Sequence, residues 1–413
     1  MPDLNNFQPS SPSEEKITAI CRKYQSDCVK FLQKLIRTPS VNGVHNELAI
    51  ADLIVQECRS LGLPAQKLSA VRGRPNVYVG KKDSFSDPQT ILLVANSDTV
   101  PPGNEEQWSF PPFSGKIKDS KIWGRGAVDC KGGIAVNIYS LKILQDLGFG
   151  NLAKAIIGVD EESGADSQIG IRYVLLRGLQ AAGAVYSYRG ECNNKMNIGH
   201  RGVLRIWVRC RGESAHTGSR HWQNGIQGAS AINGLMSFLE RVKLYGQMIS
   251  KVRDPYFTDY HCVITPTLIE GGSGESQVPD EARVLLDIRT LPGQESQVIL
   301  GELKKIAASV SNNSKLRFDF MVKNDVLPAL SDPEHPFVQK AAQIKSRIYG
   351  IPEVTLRGSG PANEAHLLIS HNIPTVVGFG PSGNGYHSCD EYAELDSIES
   401  SLRYLTTLSL VSH

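Results

Sequence analysis

The chain has 413 residues, 40% of them hydrophobic, and its 44 Lys+Arg against 42 Asp+Glu leave a net charge of +2. That length supports two or three domains at roughly 150 residues each, and the apolar fraction supports a buried core. The balanced charge argues against a nucleic-acid binder, and no apolar run approaches the roughly 18 residues of a membrane helix. Eight Cys without a CxxC pair argue against a disulfide scaffold and fit a reducing compartment. The polar opening MPDLNNFQPSSPSEEK has no secretory core, so a cytoplasmic location is expected.

Taken in order, residues 1–15 read as a Ser- and Pro-rich lead-in. Val29, Leu32, Leu35 and Ile36 then form one stripe of an amphipathic helix over about 15–37. TILLVAN (90–96) is a buried strand by its continuous apolar character. Ile134, Ile138, Leu141 and Leu144 follow at helical spacing and Gly148 ends that helix. AIIGV (155–159), a helical stretch and a strand at 184–188 come next. This alternation predicts an α/β fold, a mostly parallel central sheet with helices on both faces.

The pattern changes near Gly199. Leu204, Ile206 and Val208 alternate with Arg205 and Arg209, as in a strand with one buried face. A helix at about 225–244, strands at 261–269 and 282–291, and a helix at about 296–310 follow. We therefore expect an inserted smaller α+β domain at 199–310 that interrupts a larger domain formed by 1–198 and 311–413. TVVGF (375–379) is a late buried strand of the larger domain.

Acidic residues recur after the strands of the larger domain. Asp98 to Asp129 spans 31 residues, Asp129 to Glu162 spans 33, and Glu162 to Glu191 spans 29. One strand–helix–strand unit needs roughly 30 residues, so such acids would gather at the carboxyl edge of a parallel sheet, where ligands bind. The local settings are NSDTVPPG for Asp98, WGRGAVDCKGG for Asp129 and VDEESG for Glu161 and Glu162. Three adjacent acids at 160–162 repel one another and ordinarily mark a solvated loop, unless a cation neutralises them. His387, in GFGPSGNGYHSCDEY, supplies an imidazole. One His among three or four carboxylates gives the mixed N/O shell that zinc prefers and cobalt or manganese tolerates.

With these motifs in place, the sequence resembles the zinc-dependent amidohydrolases that include aminoacylase, acetylornithine deacetylase, succinyl-diaminopimelate desuccinylase and carboxypeptidase G. The resemblance spans about 30–410 and rests on SDTVPPG with Trp108 and PPF, GRGAVDCKGG, DEESG, GECNN with GHRG, SAHTG, TPT with VPD and LDIRTLPG, and GFGP with His387. It implies a zinc-binding α/β domain and an inserted lid domain that dimerises. It implies that Asp129 bridges two metal ions, that Glu162 and His387 complete one site, and that Glu191 serves the other. Glu161 would be the general base toward metal-bound water, and Asp98 would orient a ligand from behind. His216 in SAHTG would reach across a dimer to the developing oxyanion. Arg289, or the Gly358–Ser359–Gly360 backbone with Asn363 beyond it, would hold a substrate carboxylate, although Arg289 could equally be a salt-bridge partner at a strand edge.

The sequence departs from this family at one motif, where Ala95 also replaces a Gly. Where the family carries His two residues before the first Asp, this chain has Asn96. An amide oxygen is a far weaker zinc ligand than imidazole, so one tight zinc and a weak second site are expected. Asn96 or a thiol from Cys130, Cys192 or Cys389 would complete an altered second site, or those cysteines are simply small buried residues. The expected activity is hydrolysis of the amide bond of a small N-acyl amino acid or dipeptide-like substrate bearing a carboxylate. The alternative is a relative whose hydrolysis is lost or redirected, as a binding protein or an amide-forming or rearranging enzyme.

Overall fold

The computed structural model describes residues 12–191, 193–312 and 314–412. The chain divides into two compact units, the first formed by 1–199, 331–357 and 363–413, the second by 200–330 and 358–362. The expected lead-in at 1–15 falls almost wholly outside the described residues.

In the first unit, four strands lie side by side and parallel in the order Ala153–Gly158, Ile91–Asn96, Gly183–Tyr186, Thr375–Val377. Antiparallel strands extend both edges, Arg74–Val79 and Ala65–Val71 on one side and Lys195–His200 on the other. Every residue of Ile91–Asn96 and of Ala153–Gly158 is buried. This is why residues 91–95 and 155–158 read as unbroken apolar runs rather than alternating ones. The helices Glu14–Ile36, Lys131–Asp146 and Asp396–Val411 pack on one another and Lys131–Asp146 reaches the central strands. Lys131–Asp146 buries nearly its whole length. Its entry depends on Gly133, where an added Cβ would lie 1.9 Å from the Ser187 carbonyl oxygen. Only a residue without a side chain lets the helix start so close to the end of the neighbouring strand.

A small antiparallel sheet, Gly383–Asn384, Tyr392–Glu394, Lys121–Trp123 and Lys116–Lys118, joins two distant stretches of sequence. Trp123 packs on Tyr392 with ring centroids 4.8 Å apart. The pairing holds the segment leading to Asp129 beside the hairpin that carries His387.

The second unit is a four-stranded antiparallel sheet in the order Val263–Gly271, Glu281–Thr290, Gly202–Arg211, Arg317–Val326, packed against the helices Ala231–Ile249 and Ser296–Ser311. Leu204, Ile206, Val208 and Cys210 alternate inward to meet Phe238, Leu286 and Leu303. The unit ends later than the expected 310. RFDFMVKNDV (317–326) pairs along Gly202–Arg211 and belongs to this sheet rather than to the larger domain. Phe318 and Phe320 alternate inward to pack on Phe238 while the residue between them is exposed, a strand pattern that the boundary expected at 310 leaves out of the unit.

Candidate metal centre

Loops at the carboxyl ends of the parallel strands gather the acids. Asp98 follows Ile91–Asn96, the 160–162 run follows Ala153–Gly158, and Glu191 follows Gly183–Tyr186. Cross-strand bonds pin these ends: the Ser97 amide donates to the Gly158 carbonyl at 2.9 Å and the Ser187 amide to the Val94 carbonyl at 2.8 Å. Asp129 immediately precedes the helix Lys131–Asp146, and His387 sits in the hairpin loop at φ +58°. Asp390 anchors that loop by accepting from the Ser109 amide and hydroxyl at 2.7 and 2.8 Å.

Asp129, Glu162 and His387 present ligand atoms within 4.8 Å of one another. His387 Nε2 lies 3.0 Å from Asp129 Oδ2 and 3.4 Å from Glu162 Oε2. Those spacings suit donors each about 2.0–2.1 Å from one shared zinc ion. The other oxygens, Asp129 Oδ1 and Glu162 Oε1, are buried without a hydrogen-bond partner among the described residues. A buried carboxylate oxygen left unpaired is costly, about 1–3 kcal/mol or more, and a divalent cation satisfies both. The donor set therefore fits one ion. Without one, bonds to Asp129 and Glu162 push His387 up to about 10, so an imidazolium takes the cation's place. Burial raises Glu162 to about 7.

Asp98 is fully buried and accepts from the Glu162 amide at 2.9 Å, from Asn42 Nδ2 at 2.7 Å and, weakly, from Asn96 Nδ2 at 3.4 Å. It fixes the main chain of Glu162, and burial raises its carboxyl to about 6. Glu161, beside the group and nearly buried, has its carboxyl held well above the ordinary range by burial, then by Glu162, Asp129, Glu364 and Asp98. Tyr188 donates its hydroxyl to Asp129 Oδ2 at 2.6 Å.

Sequence reasoning did not find Glu391. It is fully buried and its carboxylate collects Arg125 Nη1 at 2.7 Å and the amides of Gly126, Val128 and Asp129 at 2.9, 3.0 and 3.1 Å. It shapes the loop that presents Asp129. The only available signal was an acid four residues beyond the candidate His.

The residues expected at a second ion are not brought into this group. Asn96 directs its amide hydrogens to the Asp98 carbonyl at 3.2 Å, and its oxygen faces the Tyr186 hydroxyl at 3.5 Å. Glu191 is occupied by Arg189 Nη2 at 3.0 Å, Arg357 Nη2 at 3.1 Å and Asn193 Nδ2 at 2.9 Å. In this structure both side chains are engaged by neighbouring protein groups. Cys130 is buried, donates its thiol to the Ser187 carbonyl at 3.3 Å and is pushed well up by burial, which disfavours a thiolate ligand. Cys389 is partly exposed, and Cys192 lies outside the described residues.

In the second unit, Arg289 pairs with Asp287 at 2.7 Å, as the salt-bridge alternative anticipated. His216 is exposed and its Nδ1 accepts from the Gly218 amide at 3.0 Å. Gly358 packs against Phe257, 2.0 Å from where a Cβ would lie, Gly360 packs against Tyr260, and Ser359 Oγ donates to the Pro361 carbonyl at 2.9 Å. In the first unit, Asn363 Oδ1 accepts from the Ala365 amide at 2.9 Å, at the start of the short helix Ala365–Ser370.

Comparison with known proteins agrees with the fold and shows the family. The family described as Peptidase family M20/M25/M40 matches residues 92–410. An N-formyl-4-amino-5-aminomethyl-2-methylpyrimidine deformylase of Halalkalibacterium halodurans is 25% identical over 420 residues, covering 95% of each chain. A succinyl-diaminopimelate desuccinylase of Roseobacter denitrificans is 24% identical over 320 residues, 75% of this chain and 80% of that protein. Among solved structures, an M20 family metallo-carboxypeptidase from Sulfolobus solfataricus superposes with a TM-score of 0.73 at 17% identity, covering 94% of this chain and 99% of that one.

Proposed function

The chain belongs to peptidase family M20/M25/M40, and on that premise we propose that it is a cytoplasmic amidohydrolase with one tight zinc ion, acting on a small N-acyl amino acid or dipeptide-like amide with a free carboxylate. The observation that carries this reading is the convergence of Asp129, Glu162 and His387 with two unpartnered buried carboxylate oxygens. A divalent ion held there supplies Lewis acidity, making water nucleophilic near neutral pH and polarising a carbonyl.

The remaining work falls to side chains of the protein. Glu161 takes the proton of the attacking water on its carboxylate and returns it to the leaving nitrogen. Its basicity suits both transfers, because burial among carboxylates makes it hold a proton tightly and positive charge at the neighbouring group releases it. Asp98 positions Glu162 through its amide, and Glu391 and Tyr188 position Asp129. His216 is assigned as hydrogen-bond donor to the oxyanion. Arg289, or alternatively the 358–360 backbone, is assigned to the substrate carboxylate.

The second unit is assigned as the dimerisation domain. Its helix Ala231–Ile249 exposes Met236, Leu244 and Met248, and the edge strand Val263–Gly271 exposes Leu268 and Ile269. A second copy of this chain can cover that apolar surface and continue the sheet edge. Among the described residues no helix is long and apolar enough to cross a membrane.

A second reading, ligand binding without turnover, draws on the occupied amide of Asn96 and the paired carboxylate of Glu191. A panel of N-acetyl amino acids, N-succinyl amino acids and dipeptides, each with zinc, cobalt and manganese, separates the two. Hydrolysis of any class with about one zinc per chain supports the enzyme. Tight zinc without turnover across the panel supports the binding protein.

A further inference from the structure

Two arginines far apart in the sequence meet on one acid beside the metal group. Arg189 Nη2 lies 3.0 Å from Glu191 Oε1, and Arg357 Nη2 lies 3.1 Å from Glu191 Oε2. Arg357 Nε donates to Asn197 Oδ1 at 3.0 Å, which fixes the plane of its guanidinium. Arg189 lies 5.0 Å from the ring centroid of Tyr386, the residue before His387. Tyr188, the residue before Arg189, donates to Asp129 Oδ2 at 2.6 Å. The ring beside the Arg189 guanidinium and the residue preceding Arg189 in the chain thus each lead to a member of the metal group. Arg189, Glu191 and Arg357 are 27%, 24% and 22% exposed, so a small solute reaches them.

We propose that Arg189 and Arg357, gathered by Glu191, form a subsite that binds a carboxylate of the substrate next to the metal group. Glu191 shares its single negative charge between two guanidiniums. Among the described residues Arg189 has no other ion pair, and apart from Glu191 it donates only a long 3.5 Å bond to the Gly383 carbonyl. The rest of its planar fork remains for a ligand, and that fork matches a carboxylate in two parallel bonds. The Tyr386 ring beside it and the bond to Glu191 restrain the guanidinium in advance, which lowers the ordering cost of binding. Glu191 also repels a dianion more strongly than a single carboxylate, so the site favours carboxylate over phosphate. The inference rests on the hydrolase reading only for what the carboxylate belongs to: a substrate carrying an acidic group close to the scissile amide, in addition to any carboxylate held by the second unit.

The test uses the full chain stripped of metal, so that neither zinc binding nor turnover enters the result. Isothermal titration measures succinate, with succinamide and inorganic phosphate as comparison probes. The wild type binds succinate at least tenfold more tightly than either. Arg189→Gln loses at least tenfold of that affinity, Arg357→Gln does the same, and Arg189→Lys, which keeps the charge but not the fork, falls between. Melting curves confirm that each variant is folded, and Arg189→Lys carries the test if a Gln variant is not. Equal affinity for succinate and succinamide, tighter phosphate binding, or unchanged succinate affinity in folded Arg189→Gln overturns the proposal. With an N-acyl substrate pair differing only in one acyl carboxylate, Arg189→Gln raises KM for the acidic member alone; equal changes for both also overturn it. Zinc content, measured separately, reports on the hydrolase reading by itself.

Discussion

Replacing Glu391 by Ala tests how the metal group is built. Glu391 is fully buried and accepts from Arg125, itself 1% exposed, and from three backbone amides including that of Asp129. Removing one member of a buried ion pair strands the other and costs about 3–5 kcal/mol. At about 2–4 °C per kcal/mol for a domain of this size, the melting temperature should fall by roughly 6–20 °C. The loop from Gly126 to Asp129 loses three hydrogen bonds at once, so Asp129 is no longer held toward His387. Outer positioning groups typically contribute about 10–100-fold to metal affinity, and a loss at least that large is expected. Calorimetric melting and zinc content after dialysis provide the assay, with Glu391→Gln as the size-preserving control of intermediate effect. A Glu391→Ala protein that melts within about 2 °C of wild type and keeps its zinc would refute the reasoning, because the magnitude cited for a buried pair could not then be absent.

Glu161→Gln should lower turnover by about 10²–10⁴-fold while zinc content stays unchanged; loss of zinc with activity would make Glu161 a ligand instead of a base. Zinc uptake should be pH-dependent with a definite sign. His387, raised to about 10 in the metal-free protein, is protonated at pH 7, and Glu162, raised to about 7, is partly so. Zinc needs both deprotonated, so binding at pH 7 releases protons and affinity rises with pH until His387 titrates; titration in buffers of different ionisation enthalpy counts those protons, and none released would contradict it. His216→Ala should lower kcat by about 10²–10³-fold with little change in KM, the signature of an oxyanion donor.

Much of the site was legible because its residues obey the geometry of parallel sheets. Asp98, Asp129, Glu161 and Glu162 each follow a buried apolar run or precede a helix, and such ends share one edge of the sheet. His387 could be placed with them because it too follows a late buried strand. What was illegible depends on pairings between distant residues. Nothing in the sequence shows that Glu391 returns to the amides of residues 126–129, or that Arg357 meets Glu191. Arg317–Val326 falls in the second unit because its partner strand lies about a hundred positions away; the alternation of Phe318 and Phe320 marks a strand with one buried face but does not say which sheet it joins. The Arg289–Asp287 pair was within reach, since residues two apart on a strand share a face, and the sequence reading kept that alternative open. Asn96 was visible as an exception, but its bonds to Asp98 and Tyr186 required coordinates.

The central claim is a single zinc site built from Asp129, Glu162 and His387. Anomalous diffraction at the zinc edge from crystals of the zinc-loaded chain tests it most directly. One strong peak within about 2.0–2.2 Å of a ligand atom from each of the three residues, and none at Glu191, is the predicted result. A peak bound by Glu191 and Asn96, or no peak among the three residues at full zinc loading, would contradict it.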